Sequence, residues 1–206
     1  MTSAATFANT LSTPRILAEH DRRELLMHFL ALQQSDRILR FGVALPDEMI
    51  TRYVQRLDFD RDIILGVFDH YSSLLGAGHL AFSPRDAFFE MADATLKDRV
   101  AELGVSVLES ARRMGVGFAL FKRAANHCRL EGVDTIYMRC LNRNQSMVHI
   151  AARAGMEFHA KPENGNAFLK LLSLDTTAVL QNAEEDQLSV FDFAMKAVPL
   201  QQPTGL

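Results

Sequence analysis

The sequence has little of several residue types, and each shortage excludes a class of protein. It contains no tryptophan and only two cysteines, Cys128 and Cys140, in 206 residues. These cysteines have neither a CxxC spacing nor a histidine partner at zinc-finger distance, so the sequence predicts no disulfide framework and no metal site. The 22 Lys and Arg do not outnumber the 25 Asp and Glu. That balance gives no basic excess of the kind that binds nucleic acid.

Long apolar runs are also missing. No uninterrupted apolar stretch is long enough to span a bilayer. Residues 1–12 are small and polar and lack the basic start and apolar run of a signal peptide. We therefore expect a disordered N-terminus over 1–12, a cytoplasmic location and no membrane partner. The hydrophobic content of 48% can bury a substantial core, and the length fits one domain.

The first third of the chain predicts helices after a short edge strand at 15–18. Asp21 and Glu24 have the spacing of a capping-box variant at the start of a helix. The residues from Gln34 to Asp36 indicate a turn, and a second helix is predicted to begin near Pro46, whose fixed φ suits a first turn.

The middle of the chain alternates strands and helices. An antiparallel hairpin is predicted from strands at 62–68 and 74–82, followed by a strand at 100–108 and a helix at 115–131 that Gly132 ends. A strand at 135–141 precedes a short helix with Asn144 as its N-cap and Gly155 at its end. Asn164-Gly165 predicts a hairpin turn between strands at 156–161 and 167–172.

This order of elements predicts an α+β fold, an α/β sandwich with a mixed sheet. We expect one domain over 13–174 and a C-terminal helical extension and tail over 175–206. The extension either caps the domain or forms a subunit contact, which makes a homodimer possible.

The most informative segment is 101–120, where a strand runs into a glycine-bearing turn and then into an amphipathic helix. Gly115 and Gly117 let the backbone approach a ligand, and the unpaired amides at the helix start favour an anion. Arg112 and Arg113 add positive charge beside those amides. The alternative interpretation of two such glycines is a tight turn without a ligand. The segment lacks the third small residue of a dinucleotide fingerprint, because Leu120 stands there, and it lacks the Gly-Lys-Ser/Thr of a Walker loop.

The segment from Arg112 to Gly117 resembles the Arg/Gln-x-x-Gly-x-Gly/Ala motif with which GNAT (Gcn5-related N-acetyltransferase) enzymes bind the pyrophosphate of CoA. Residues 144–156 resemble the downstream GNAT helix, and residues 36–42 resemble the entry to bacterial members. The resemblance implies a mostly antiparallel, splayed sheet flanked by helices, open between the strands that end near Leu108 and Leu141.

The resemblance also implies a set of residues that bind acetyl-CoA, with no metal involved. Backbone groups of the strand are expected to bind the pantetheine arm, Asn144 to contact it, and the loop to hold the pyrophosphate. Lys122 and Arg123 either meet the 3′-phosphate or form a solvated basic face. The strand and loop residues are Val105, Ser106, Val107, Arg112, Arg113, Met114, Gly115, Val116 and Gly117.

Acylation of an amine needs a base, because an ammonium group has no lone pair. Glu102 is the candidate base, since an equivalent Glu serves this role in a number of GNAT enzymes. The alternative is a solvated or salt-bridged strand-edge glutamate. Weaker candidates are Glu90, His70 and His79.

Many GNAT relatives protonate the leaving thiolate with a Tyr, but the matching position here is Ala151. Cys140, Ser146 and His149 are possible substitutes. Each has a structural alternative, as a small core residue, a first-turn helix residue and an exposed helix residue respectively.

The sequence therefore predicts an N-acetyltransferase that acts on a primary amine of a small molecule, peptide or protein, with the acceptor unidentified. A non-catalytic CoA sensor or interaction module is the alternative. A third possibility is a protein that binds another phosphate ligand.

Overall fold

One seven-stranded sheet organises the computed structural model, which describes residues 11–82, 99–160 and 164–171. The strand order is β1-β2-β3-β4-β5-β7-β6. Neighbouring strands are antiparallel except β4 and β5, which are parallel. The strands are β1 Arg15–Ile16, β2 Ile63–Phe68, β3 Leu74–Phe82, β4 Val100–Val107, β5 Thr135–Leu141, β6 Glu157–Ala160 and β7 Asn164–Lys170.

The described residues contain five α-helices, which cover the two faces of the sheet. Helices α1, α2 and α3 lie on one face, which we call the α1–α3 face, and α4 lies on the other, which we call the α4 face. Helix α5 follows β5 and joins the core on the α4 face. Their bounds are α1 Arg22–Leu30, α2 Gln34–Phe41, α3 Asp47–Gln55, α4 Val116–Leu130 and α5 Gln145–Arg153. None of these helices is long and apolar enough to cross a membrane.

Alternation along the strands produces two apolar cores, one on each face. On the α4 face, Leu65, Leu80 and Leu103 pack with Leu120. On the α1–α3 face, a second cluster forms between the sheet and the helices, each side chain contributing about 1.5–3 kcal/mol when fully buried. Its members include Leu25, Phe29, Ile50, Val54 and Ile64.

The sequence prediction of a mixed, mostly antiparallel splayed sheet with flanking helices is confirmed. The β2–β3 hairpin, β4, α4, β5 and α5 lie within a residue or two of their predicted bounds. Gly132 and Gly155, predicted to end helices, have φ of 64° and 70°, the left-handed conformation that favours glycine after a helix. Ser12 already exchanges hydrogen bonds with Phe68. Residues 1–10 of the predicted disordered N-terminus and the whole predicted C-terminal extension over 175–206 lie outside the described residues.

The turn predicted from Gln34 to Asp36 is wrong, because α2 begins at Gln34. The first residues, Gln34, Ser35 and Asp36, have the polar composition of a turn, and none of the side chains of α2 is fully buried. Phe41 packs partly buried against the core of the α1–α3 face, and polar contacts also hold the helix. Arg37 donates to the carbonyls of Leu30, Leu32 and Leu45.

Two further local predictions are corrected. Asp21 precedes α1 without capping it, because its carboxylate accepts hydrogen bonds from Arg15, at 2.5 and 2.9 Å, and from the amide of Ala18. Asn164 and Gly165 lie in β7, paired with Leu141 and Ala160, and are not the turn of the β6–β7 hairpin. Strand pairing on both sides outweighs the turn preference of Asn-Gly.

Candidate active site

The sheet opens between β4 and β5. The two strands pair only at their N-terminal ends, where Val100, Ala101 and Glu102 lie opposite residues 135–137. Beyond Glu102, β4 pairs with β3 alone and β5 with β7 alone, as far as the described residues show. The sheet therefore contains a V-shaped opening, which we call the split.

The register of β4 decides which of its backbone groups face the split. The amide of Leu108 donates to the carbonyl of Leu75 at 2.8 Å, so this directly opposite pair is hydrogen-bonded. Hydrogen-bonded pairs alternate in an antiparallel ladder, so Gly104 and Ser106 direct their backbone groups to β3. Val105 and Val107 direct theirs into the split. Of the three residues predicted to bind pantetheine through the backbone, these two have groups available there.

A glycine-bearing turn connects the open end of the split to α4. After a single 3₁₀ turn at Glu109–Ala111, Arg113 and Gly115 both have positive φ, of 64° and 83°, and α4 starts at Val116. A side chain at Gly115 would be free of clashes, so glycine is needed there for its conformation. The first amides of α4 have no carbonyl one turn earlier in the helix to bond, which makes this end a site for an anion.

The arginines of the loop differ in their surroundings. Arg112 forms an ion pair with Asp36 of α2, with 2.6 Å between Nη2 and Oδ1, whereas Arg113 is exposed beside Met114. The loop is thus tied to α2. An open cleft of about 470 Å³ runs along this junction, lined by residues that include Gln33, Asp36, Leu108 and Glu109.

The first turn of α4 contacts the second turn of α5 near the end of β4. A Cβ placed on Gly117 would lie 2.9 Å from Cδ1 of Ile150, so glycine allows the two helices to approach. Asn144 caps α5, because its Oδ1 accepts from the amide of Met147 at 3.2 Å. Asn144 is 7% exposed. The predicted capping role of Asn144 is therefore confirmed.

Glu102 lies where β4 and β5 are still paired, on the α1–α3 face. Tyr137 is directly opposite it on β5, and Arg139 follows on the same face. Arg139 Nε donates to the hydroxyl of Tyr137 at 3.3 Å. Burial and the negative charge of Glu102 raise the pKa of Tyr137, against the opposing effect of Arg139.

A chain of four side chains crosses the same face next to Gly104. Asp62 accepts from His79 Nε2 at 3.0 Å, so the other ring nitrogen, Nδ1, accepts from the hydroxyl of Tyr53 at 2.8 Å. That hydroxyl in turn accepts from Arg40 Nη2 at 3.2 Å. Burial, followed by the charge of Arg40, lowers the pKa of His79. Because both ring nitrogens are occupied, His79 has the contacts of a structural histidine.

A second buried histidine is bonded to β4 itself. His28 of α1 is 2% exposed and its Nδ1 lies 2.9 Å from the carbonyl oxygen of Leu74. A carbonyl only accepts, so Nδ1 carries the proton and Nε2 accepts from the hydroxyl of Ser106 at 2.8 Å. The side chain of Ser106 is thus turned away from the split.

The residues considered as substitutes for the missing Tyr have the surroundings expected of purely structural residues. Ala151 and Cys140 are buried at 1% and 2% exposure, and Ser146 and His149 are exposed. Burial raises the pKa of Cys140, which disfavours its thiolate.

The prediction that Lys122 and Arg123 form a solvated basic face is wrong for Arg123. It is only 3% exposed, whereas Lys122 is exposed. His70 is also exposed, and Glu90 lies outside the described residues.

Sequence reasoning missed Arg40, Tyr137 and His28. Tyr137 had a detectable signal, because it is the third residue of a predicted strand, and that strand pairs with β4. Arg40 belongs to a helix whose first three residues, Gln34 to Asp36, were predicted as a turn. Within the described ranges, no group of three or more His, Cys, Asp or Glu is placed to hold a metal ion.

Comparison with known families gives one match by sequence. The model of the Acetyltransferase (GNAT) family matches residues 44–156, just over half of the chain. That range includes the split, the glycine-bearing turn and the start of α5. Among curated proteins, none matches the sequence.

Several solved structures share the fold at low sequence identity. The GNAT domain of S. lividans PAT has a TM-score of 0.62 and 18% identity, over 77% of this chain and 89% of that one. Spermidine N-acetyltransferase from Vibrio cholerae, solved with CoA and spermine, has a TM-score of 0.59 and 17% identity, over 78% and 95%. Ribosomal-protein-alanine N-acetyltransferase from Brucella melitensis has a TM-score of 0.57 and 14% identity, over 77% and 99%.

Proposed function

Because the chain belongs to the acetyltransferase (GNAT) family, we propose that it transfers an acetyl group from acetyl-CoA to a primary amine of a small molecule, peptide or protein. The observation that carries this proposal is the split, which exposes the backbone groups of Val105 and Val107 and leads directly to the amides at the start of α4. A fold neighbour solved with CoA gives independent support for this substrate.

The split suits the long, thin arm of CoA. Val105 and Val107 offer backbone donors and acceptors to the amide groups of the pantetheine arm, as a neighbouring strand would. The pyrophosphate then meets the first amides of α4 between Val116 and Gly117, with Arg112 and Arg113 beside it. Asn144 already caps α5, so its contribution to the arm comes from a fixed position.

Glu102 is positioned to accept a proton in this reaction. The amine nitrogen attacks the carbonyl carbon of the thioester, the C–S bond breaks, and the amine proton passes to Glu102 directly or through water. A backbone amide of β4 that faces the split stabilises the oxygen as it gains negative charge. Tyr137 and Arg139 lie beside Glu102 on the same face and are hydrogen-bonded to each other.

The leaving thiolate needs no side-chain acid. Ala151 contributes only a buried methyl group where relatives place a Tyr. The pKa of a thiol is about 8.5. The thiolate of CoA is therefore a tolerable leaving group, and solvent can protonate it. The two cysteines are free and buried, and a reducing, cytoplasmic location is part of the proposal.

Calorimetric titration and a thiol-release assay test this function together. We expect the purified protein to bind acetyl-CoA and CoA but not ATP, and to release free CoA when a suitable amine is added. Glu102→Gln should lower kcat about 100-fold or more, as general-base variants do, and leave the Kd for CoA unchanged. Glu48→Gln, an exposed change on α3, is the matched control and should behave as the wild type.

The result also separates an enzyme from a CoA sensor, which the absence of a Tyr at Ala151 leaves as the second candidate. A protein that binds CoA with full stoichiometry but releases no thiol with any primary amine would be a sensor. A folded wild type that binds no CoA would contradict both functions.

A further inference from the structure

Arg40 lies flat against the backbone of β4. A Cβ placed on Gly104 would be 2.6, 2.7 and 2.8 Å from Cζ, Nη1 and Nη2 of Arg40. Three nearly equal distances mean that the face of the guanidinium covers this residue, and only glycine leaves room for it. The N–H groups of a guanidinium lie in its plane, so they point sideways along the face of the sheet.

Among the residues that the structure describes, the charge of Arg40 has no acidic partner. Its one hydrogen bond among the described residues goes to the hydroxyl of Tyr53, and its Nε is buried without a partner there. The rings of Phe29 and Phe41 lie 5.8 and 5.0 Å from Cζ. No described carboxylate forms an ion pair with it. A partly buried charge without an anion is costly, so a planar, fork-shaped donor left in this state suits an anion from outside.

The position of Arg40 relates it to the reaction. Gly104 is two residues beyond Glu102 on the same face, which is about 7 Å along a strand. It is also the first residue of that face beyond the paired part of β4 and β5. A small molecule bound to Arg40 would therefore be long enough to reach Glu102, the proposed base.

The charges on this face distinguish between classes of amine. Arg40 and Arg139 are two cations on this face, where Asp62 is paired with His79 and no described cation lies within 4 Å of the carboxylate of Glu102. A second ammonium group on the acceptor would be repelled here. A carboxylate on the acceptor would be attracted.

We propose that Arg40 binds a carboxylate of the substrates, and that the acceptor is a small amine that also carries a carboxylate, such as a free amino acid. This inference rests on the proposed transfer to an amine. A carboxylate at the far end of the acyl group, as in succinyl-CoA, would present the same chemistry to Arg40. The two sources are separated by experiment.

The test compares matched pairs of acceptors. With acetyl-CoA, the wild type is assayed on amino acids and on the amines that remain after their decarboxylation, such as lysine and cadaverine. We expect a preference for the amino acid. Arg40→Met should raise KM for that amino acid roughly 100-fold, the loss expected when a buried charge pair is truncated, with little change for the decarboxylated amine. Arg40→Lys should recover only part of the preference, because a lysine lacks the planar fork.

A second experiment varies the acyl donor. One simple amine is assayed as acceptor with acetyl-CoA and with succinyl-CoA. A preference for succinyl-CoA that Arg40→Met abolishes would place the carboxylate on the acyl group. Arg56→Met, an exposed arginine directly after α3, is the control and should change neither comparison. CoA titration shows that each variant is folded.

Direct binding separates this proposal from the proposed function. Amino acids are titrated into the complex with CoA, so that recognition by Arg40 is measured without turnover. Equal use and equal binding of carboxylated and decarboxylated ligands by the wild type would overturn the proposal. So would an Arg40→Met variant that loses both ligands to the same extent.

Discussion

Hydrogen bonds fix the protonation states of individual residues on the α1–α3 face. His28 is more deeply buried than His79, and it must be neutral to accept a hydrogen bond from the hydroxyl of Ser106 while it donates one to the carbonyl of Leu74. Burial lowers its pKa from 6.5 to about 4. A protonated His28 would leave Ser106 without its acceptor and put a charge into an apolar core.

This arrangement predicts a loss of stability in mild acid. The unfolded chain takes up the proton near pH 6.5 and the folded one only near pH 4, so the unfolded state binds more protons between those values. The free energy of unfolding should therefore fall as the pH drops from 6.5 towards 4, by up to about 1.4 kcal/mol per pH unit. Urea denaturation at a series of pH values measures this slope.

Two variants identify the group responsible. His28→Gln should reduce the slope, and what remains should come from His79 and His127, whose pKa values are also lowered by burial. His149→Gln, an exposed histidine of α5, should leave the slope unchanged. A slope that is undiminished in His28→Gln would assign the effect to the other groups alone.

How far the sequence determined the site differs from residue to residue. Glu102, Val105 and Val107 could be placed because the period of two in a strand assigns each residue a side. Arg40 and His28 could not, because their partners, Gly104 and Ser106, are more than sixty residues away in the chain. Contacts of that separation depend on tertiary packing, which local patterns do not contain.

Among the elements, those that bury an apolar stripe or carry turn glycines were predictable, as α4 and the β2–β3 hairpin show. Helix α2 was not, because its first residues, Gln34, Ser35 and Asp36, have the polar composition of a turn. The glycine-bearing turn lies between these cases. Its sequence indicated an anion site, and the structure separates the roles of its two glycines. Gly115 supplies a backbone conformation and Gly117 supplies space.

Alanine substitutions distinguish these roles. Gly115→Ala should lower the free energy of unfolding by about 1–2 kcal/mol, the cost of a left-handed conformation for a residue with a Cβ. Gly117→Ala should cost less, because the contact at 2.9 Å is with the tip of Ile150. Ile150→Val, which removes that tip, should restore the stability of Gly117→Ala.

The affinity for CoA completes this comparison. If a weakened Kd persists in the Gly117→Ala/Ile150→Val double variant, the ligand itself approaches position 117. A Kd that recovers with stability would show that only helix packing was affected.

The molecule as a whole consists of two half-sheets, β1 to β4 and β5 to β7, joined by three residue pairs and by the helices that follow the split. This division was predictable as a fold because two separate motifs resembled one family. The extent of the split was not, since nothing in the sequence of β4 marks where pairing stops after Glu102.

Amide hydrogen exchange followed by NMR tests whether CoA joins the halves. Acetyl-CoA should slow the exchange of the Val105 and Val107 amides, which face the split. Gly104 and Ser106, already bonded to β3, should change little. ATP should protect none of these amides. Equal protection of all four would indicate general stabilisation of the fold rather than binding in the split.

The contact of Arg40 with Gly104 also bears on how this chain diverges from its relatives. A side chain at position 104 and this placement of an arginine at position 40 exclude each other by volume alone. The two positions should therefore change together through evolution, with the glycine replaced in lineages whose arginine is lost or has moved away from β4. Such a pair of positions would let carboxylate-using members of the lineage be sorted from others by their sequences.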